Sequence, residues 1–144
     1  MNEPNVFVVP GELISSKNSR QPRICRSKST GKAKIIPVKS DVAKNDEKRL
    51  LRLFEDNPGF RIAWSREIVS CAMPKGWPVV LRFNIYRKTR GRFDYVNIVQ
   101  NLLDVMVMVE LIPDDCADYV IPAFDPYQVD KTNPRTEITI ETRK

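Results

Sequence analysis

A chain of 144 residues, 42% hydrophobic and 29% charged, has the size and make-up of one globular domain with its own core. It holds no histidine, which excludes imidazole general bases, His-metal nuclease motifs, Ser-His and Cys-His triads and His-containing zinc sites. The net charge of +6 is the sum of two opposed parts: residues 1–92 carry 20 Lys and Arg against 8 Asp and Glu, and residues 93–144 carry 4 against 10.

That asymmetry suggests a polyanion met by the basic part and acids reserved for another task. Any chemistry near neutral pH falls to carboxylates, working through a hard, oxygen-preferring cation. No apolar run approaches the roughly 18–20 residues of a membrane span, and the opening "MNEPNVFVVPGE" is too acidic and too short in apolar length for a signal peptide. Cys25, Cys71 and Cys116 are odd in number, widely spaced and in no C-x-x-C pattern, so they read as reduced thiols of a cytoplasmic protein.

In chain order, "NVFVVPGELI" predicts a first strand broken at "PG". Residues 15–36 predict a long mobile loop, with a short strand at "RQPRICR". No acid falls between Glu12 and Asp41, but eight basic residues do: Lys17, Arg20, Arg23, Arg26, Lys28, Lys32, Lys34 and Lys39. Loops of this length in a compact domain are commonly functional, and this one suits phosphates. Residues 41–56 predict a helix with Val42, Leu50, Leu51, Leu53 and Phe54 on its apolar face, ended by "NPG". Residues 78–87 alternate as a half-buried strand and lead into the basic turn "RKTRGR".

Residues 97–112 predict a second helix, apolar except for Asn97, Gln100, Asn101 and Asp104, which fall at i, i+3, i+4 and i+7 on one narrow polar stripe. Such a helix takes a central position or a subunit interface. After "PDDCAD", "YVIPAFDPY" reads as a strand, "VDKTNPR" as a turn and "TEITIETR" as a final strand. The expected fold is α/β, with a mixed sheet, two main helices packed on it, and one domain over residues 1–144.

Acids frame the apolar helix. Asp94 stands just before it, and Asp114 and Asp115 follow "LIP" beyond its end. A sixteen-residue helix is about 24 Å long, so the two acid sites meet only through a partner helix or if the chain folds back after Pro113.

The stretch "FDYVNIVQNLLDVMVMVELIPDDCADYV" resembles the RusA-type Holliday junction resolvases, small phage and prophage endonucleases with the pattern D-x-D-N, two residues and K, then an Asp on the helix, then D-D. Asp94, Asn97, Asp104 and the pair Asp114-Asp115 fall on that pattern without a gap. "PGELISSKNSR" is similar to the family's early strand and Asn-rich loop, and "TEITI" to its last strand. The likeness runs through most of the chain in order and is tightly supported by motif over residues 90–120.

The resemblance implies a homodimer that resolves four-way DNA junctions in recombination and repair by Mg²⁺-dependent hydrolysis, with Mn²⁺ as a possible substitute. It implies a cytoplasmic, nucleoid-associated location when bound. Asp94, Asp115 and Asp114 would be the catalytic and metal-binding carboxylates, with Asn97 and Asp104 as further oxygen donors. Lys17, Asn18, Arg20, Lys88, Arg90 and Arg92 would contact DNA, on charge and position. Two positions depart from the pattern: Val96 replaces the family's second Asp, and Gln100 its Lys. Val96 removes a metal ligand, which leaves two readings: an enzyme with a rearranged ligand set, drawing on Asn97, Asp104 or Glu67, or a protein that grips branched DNA without cutting it.

Overall fold

The computed structural model describes residues 5–15, 20–26, 31–39 and 41–144. Its elements in order are β1 (Phe7–Pro10), β2 (Arg20–Arg26), β3 (Ala33–Lys39), α1 (Asp41–Glu55), α2 (Pro58–Ala72), β4 (Val79–Arg87), α3 (Tyr95–Met108), β5 (Val120–Phe124), β6 (Gln128–Val129) and β7 (Arg135–Thr142). The main sheet is mixed and five-stranded, in the order β1-β7-β4-β5, with the short β6 also pairing β4. β7 runs antiparallel to both β1 and β4, while β5 is parallel to β4. Parallel neighbours require a crossover, and α3 supplies it between β4 and β5. The chain is therefore a mixed α/β domain, as its patterning predicts.

Alternation along the central strands sets the layers. Val79, Leu81, Phe83 and Ile85 of β4 are buried, with Ile138 and Ile140 of β7 and Phe7 and Val9 of β1. The intervening residues face outward in a lattice of ion pairs: Arg82 bonds Glu141 at 2.6 Å and Asp125 at 3.2 Å, and Arg135 pairs with Asp130 and Glu137. One face of the sheet thus carries the core and the other is polar.

Among the described residues three helices, not two, accompany the sheet. Reading "NPG" only as the end of α1 overlooks α2, which those residues start. The Asn57 side chain accepts the Phe60 amide proton at 3.2 Å, and Pro58 opens the first turn, where a missing N–H costs nothing. α2 shows no single apolar stripe, because Trp64, Ile68 and Cys71 are buried while Ile62, Val69 and Met73 are exposed on its other side. Trp64 is fully buried, edge-on to Phe7 (5.0 Å between centroids) and stacked with Phe60 (6.0 Å).

Within the basic segment expected as a loop over residues 15–36, the short strand expected at "RQPRICR" is β2, and it pairs with an unforeseen β3 in a second, two-stranded sheet. β2 and β3 pair antiparallel from Arg20 opposite Lys39 to Arg26 opposite Ala33. Ile24, Ile35, Ile36 and Val38 supply β-branched residues, and the lysines and arginines between them hide the strand pattern from a hydropathy reading.

α3 begins two residues before and ends four before the expected 97–112. Its end is a Schellman closure: Glu110 takes φ 62°, its N–H reaches the Val107 carbonyl at 3.1 Å, and the Leu111 N–H reaches Met106 at 2.8 Å. Ile98, Val99, Leu102, Leu103, Val105 and Met106 are all buried within the chain. Of the two roles open to so apolar a helix, α3 takes the central one, and its body is not available as a subunit interface.

Candidate nucleic-acid and cation site

The first half of the site forms where β1 ends. Gly11 has φ 87°, a conformation that favours glycine, and the Arg49 guanidinium packs against it, with Nη1 2.7 Å from where a Cβ would lie. Arg49 of α1, paired with the buried Asp46 at 3.0 Å, donates to the Pro10 carbonyl at 2.7 Å and the Glu12 carbonyl at 3.5 Å. This fixes the segment that carries Glu12. The Glu12 carboxylate meets Arg87 at the end of β4 at 3.1 Å. Arg87 in turn donates to the Gly91 carbonyl at 2.7 Å and lies over the Phe93 ring at 4.3 Å. Phe93 sits directly before Asp94.

These contacts shape a cleft of about 520 Å³ walled by Glu12, Ser15, Arg87, Arg92, Asp94 and Asn97. Asp94 occupies the N-cap position of α3 with extended backbone, but its side chain bonds no helix amide. Instead Oδ2 accepts from Nδ2 of Asn97 at 3.0 Å, and the carboxylate is exposed. A plain capping role does not describe it.

The second half gathers one and a half turns along the helix. The chain folds back after Pro113, and Nε2 of Gln100 donates both to Oδ1 of Asp104 at 3.0 Å and to Oδ2 of Asp115 at 3.2 Å. Asp114, more exposed, accepts the Asp115 amide proton at 2.8 Å. α2 holds this return in place: Trp64 Nε1 donates to the Leu111 carbonyl at 2.8 Å, and Arg61 to Val109 at 3.2 Å.

The expected residues thus divide into two groups on one polar edge. Asp94, Asn97 and Arg92 line the cleft, while Asp104 and Asp115 meet at Gln100, with Asp114 next to Asp115 in the chain. Asp94 and Gln100 are about 9 Å apart along the helix axis at the usual rise, and among the described residues no group of three or more acids, Cys or His converges on one point. The donor chemistry suits Mg²⁺, which commonly takes one or two carboxylates and keeps its waters. Asp104 and Asp115, on either side of one amide nitrogen, offer two carboxylates of that chemistry. Asp94 stands apart from them in this conformation.

No family model matches the chain, nor does any curated protein.

Val96, where the resemblance leads one to expect a carboxylate, is 62% exposed on the first turn of α3, so no packing demand accounts for the valine. Glu67 is elsewhere, on α2, accepting from Asn5 at 2.7 Å. Lys88, Arg90 and Arg92 are exposed on the turn from β4 to α3. Lys17 and Asn18 lie outside the described residues, as does the side chain of Arg20 at the start of β2. Neither Glu12 nor Arg87 stands out in the sequence. Their only signal is position: one follows the "PG" break, the other closes the alternating strand.

Proposed function

We propose that this protein is a divalent-cation-dependent endonuclease of branched DNA, as its resemblance to the RusA-type resolvases implies. One observation carries the reading: the return after Pro113 sets Asp115 against Gln100, on the same helix edge that presents Asp94 and Asn97. Acids distant in sequence share an edge bordered by the basic turn of Lys88, Arg90 and Arg92. A bound cation would supply a Lewis acid and an activated water for phosphodiester hydrolysis. Asp104, Asp115 and Asp114 would hold it. Arg92 and the basic turn would seat the scissile phosphate, and the Glu12–Arg87 pair would fix that turn.

A four-way junction is two-fold symmetric, so paired nicking calls for two sites and a C2 homodimer. With most of α3 consumed in the core, the outer side of α2, where Ile62, Val69 and Met73 are exposed, is one apolar surface that could make such a contact. Among the described residues no helix is long and apolar enough to cross a membrane, and the proposed location is the cytoplasm, on DNA.

Val96 favours a second reading. An exposed valine in place of a ligand suits a protein that grips junctions without cutting them. Incubating an end-labelled immobile junction with Mg²⁺ and then Mn²⁺ decides between the two, with Asp115→Asn as the control. Symmetric nicks that vanish in the variant support the nuclease. Salt-sensitive junction binding without nicks supports the binder, and no binding at low salt sinks both.

A further inference from the structure

We infer that the outer face of α1 is a phosphate track, along which one double-stranded DNA arm runs from the β2–β3 hairpin toward the Asp94 cleft. This rests on the DNA reading above and extends it to a surface outside the acidic site. Lys44, Lys48 and Arg52 follow one another every four residues, about 6 Å apart along one side of the helix. All three are exposed, and the ion pairs among the described residues leave them out. Like charges at this spacing destabilise a helix, a cost that a merely solvated face of mixed sign avoids. The helix's own acids leave the middle of the row uncompensated: Asp46 is buried against Arg49, and Asp41, Glu47 and Glu55 lie three residues from Lys44 or Arg52 but none lies three or four from Lys48.

Two continuities give the row a direction. Lys48 and Arg52 line a shallow depression of about 380 Å³ with Asn45 and Arg49. Arg49 also holds the Pro10 and Glu12 carbonyls, and Glu12 walls the Asp94 cleft, so depression and cleft are separated by a single arginine and the turn it grips. At its other end α1 follows β3 after one residue, so the row starts where the chain leaves the hairpin. No aromatic lines the depression. Its chemistry of spaced cations and one amide suits a sugar-phosphate backbone and not bases.

Fluorescence anisotropy with the whole chain over a NaCl series, on a labelled junction and a matched linear duplex, tests this. In Lys48→Gln/Arg52→Gln the log-log salt slope should fall by about 2 and affinity at moderate salt by about tenfold on both DNAs. Lys48→Gln alone should lower the slope by about 1, which covers a double variant that fails to fold. Lys75→Gln/Lys131→Gln, equal in charge but remote from α1, should leave the slope unchanged. A wild-type slope in the α1 variants, or an equal fall in the control, overturns the inference while leaving the nuclease reading intact. Failure of the wild type to bind either DNA overturns both, as does binding only to anionic phosphatidylserine vesicles that the α1 variant loses.

Discussion

The side-chain amide of Gln100 holds Asp115 against α3: Nε2 lies 3.2 Å from Oδ2 of a residue fifteen positions later. The same nitrogen reaches Asp104 at 3.0 Å, so one amide joins the helix to the returning acidic loop. Gln100→Ala removes both bonds. Side-chain hydrogen bonds of this kind contribute about 1 kcal/mol each, and more when the acceptor is charged. The expected result is a loss of roughly 1–2 kcal/mol in urea unfolding, with faster hydrogen exchange over residues 114–120. Unchanged exchange there would show that α2 alone holds the loop.

Val96→Asp should fold without penalty. The site is 62% exposed on the first turn of α3, where a carboxylate interacts favourably with the helix N-terminus by about 0.3–1 kcal/mol. Crowding by Asp94 opposes that gain until a cation is present. Mn²⁺ should therefore raise the melting temperature of the variant more than that of the wild type. Equal shifts, measured by differential scanning fluorimetry, would mean that position 96 does not face a cation site.

The parts of this fold that are legible in sequence are those with one buried face. β4, β7 and α1 alternate or repeat cleanly, and their observed bounds lie within a residue of expectation. α2 and β3 escape for opposite reasons, while β2 falls on the short strand expected at "RQPRICR". α2 is apolar on two sides and so shows no stripe, while in β3 the strand-forming residues are bracketed by cations. The acids Asp94, Asp114 and Asp115 are visible by spacing. Their relative placement is not, because it depends on the return after Pro113, which is held by Trp64 and Arg61 of the unanticipated helix. Glu12 and Arg87 escape because their pairing spans β1 and β4, strands that meet only through β7.

Trp64 tests that dependence. It fills the core between Phe7 and Phe60 and donates to the Leu111 carbonyl at 2.8 Å. Trp64→Phe keeps most of the apolar volume but leaves that carbonyl unpartnered, a cost of about 1–3 kcal/mol on top of the small cavity. Denaturant midpoints should fall accordingly, and exchange at residues 111–116 should rise more than in the β4–β7 pair. A uniform rise across the chain would show only global destabilisation.

Glu110 is a place to gain stability. Its φ of 62° closes α3 in a conformation that glycine adopts freely and a residue with a Cβ does not. The side chain is exposed, so removing it loses little packing. Glu110→Gly should stabilise the protein by about 1 kcal/mol, read as a shift in denaturant midpoint at constant slope.

The two cysteines with described side chains should differ sharply in reactivity. Cys71 is buried on α2, with Sγ 3.3 Å from the Ile140 carbonyl and 3.8 Å from Glu67. Burial first, and then the Glu67 carboxylate, push its thiol above the ordinary range, so it forms little thiolate near neutral pH. Cys116 is exposed immediately after Asp115. In a Cys25→Ser background, one thiol should react at once with a disulfide reagent at pH 8, and the second only in denaturant. Two fast thiols would show that the packing of α2 against β7 opens readily. Because Cys116 adjoins the tethered carboxylate, its labelling rate also reports on the loop. Gln100→Ala should change that rate while leaving Cys71 protected, which separates loss of the Asp115 tether from loss of the fold.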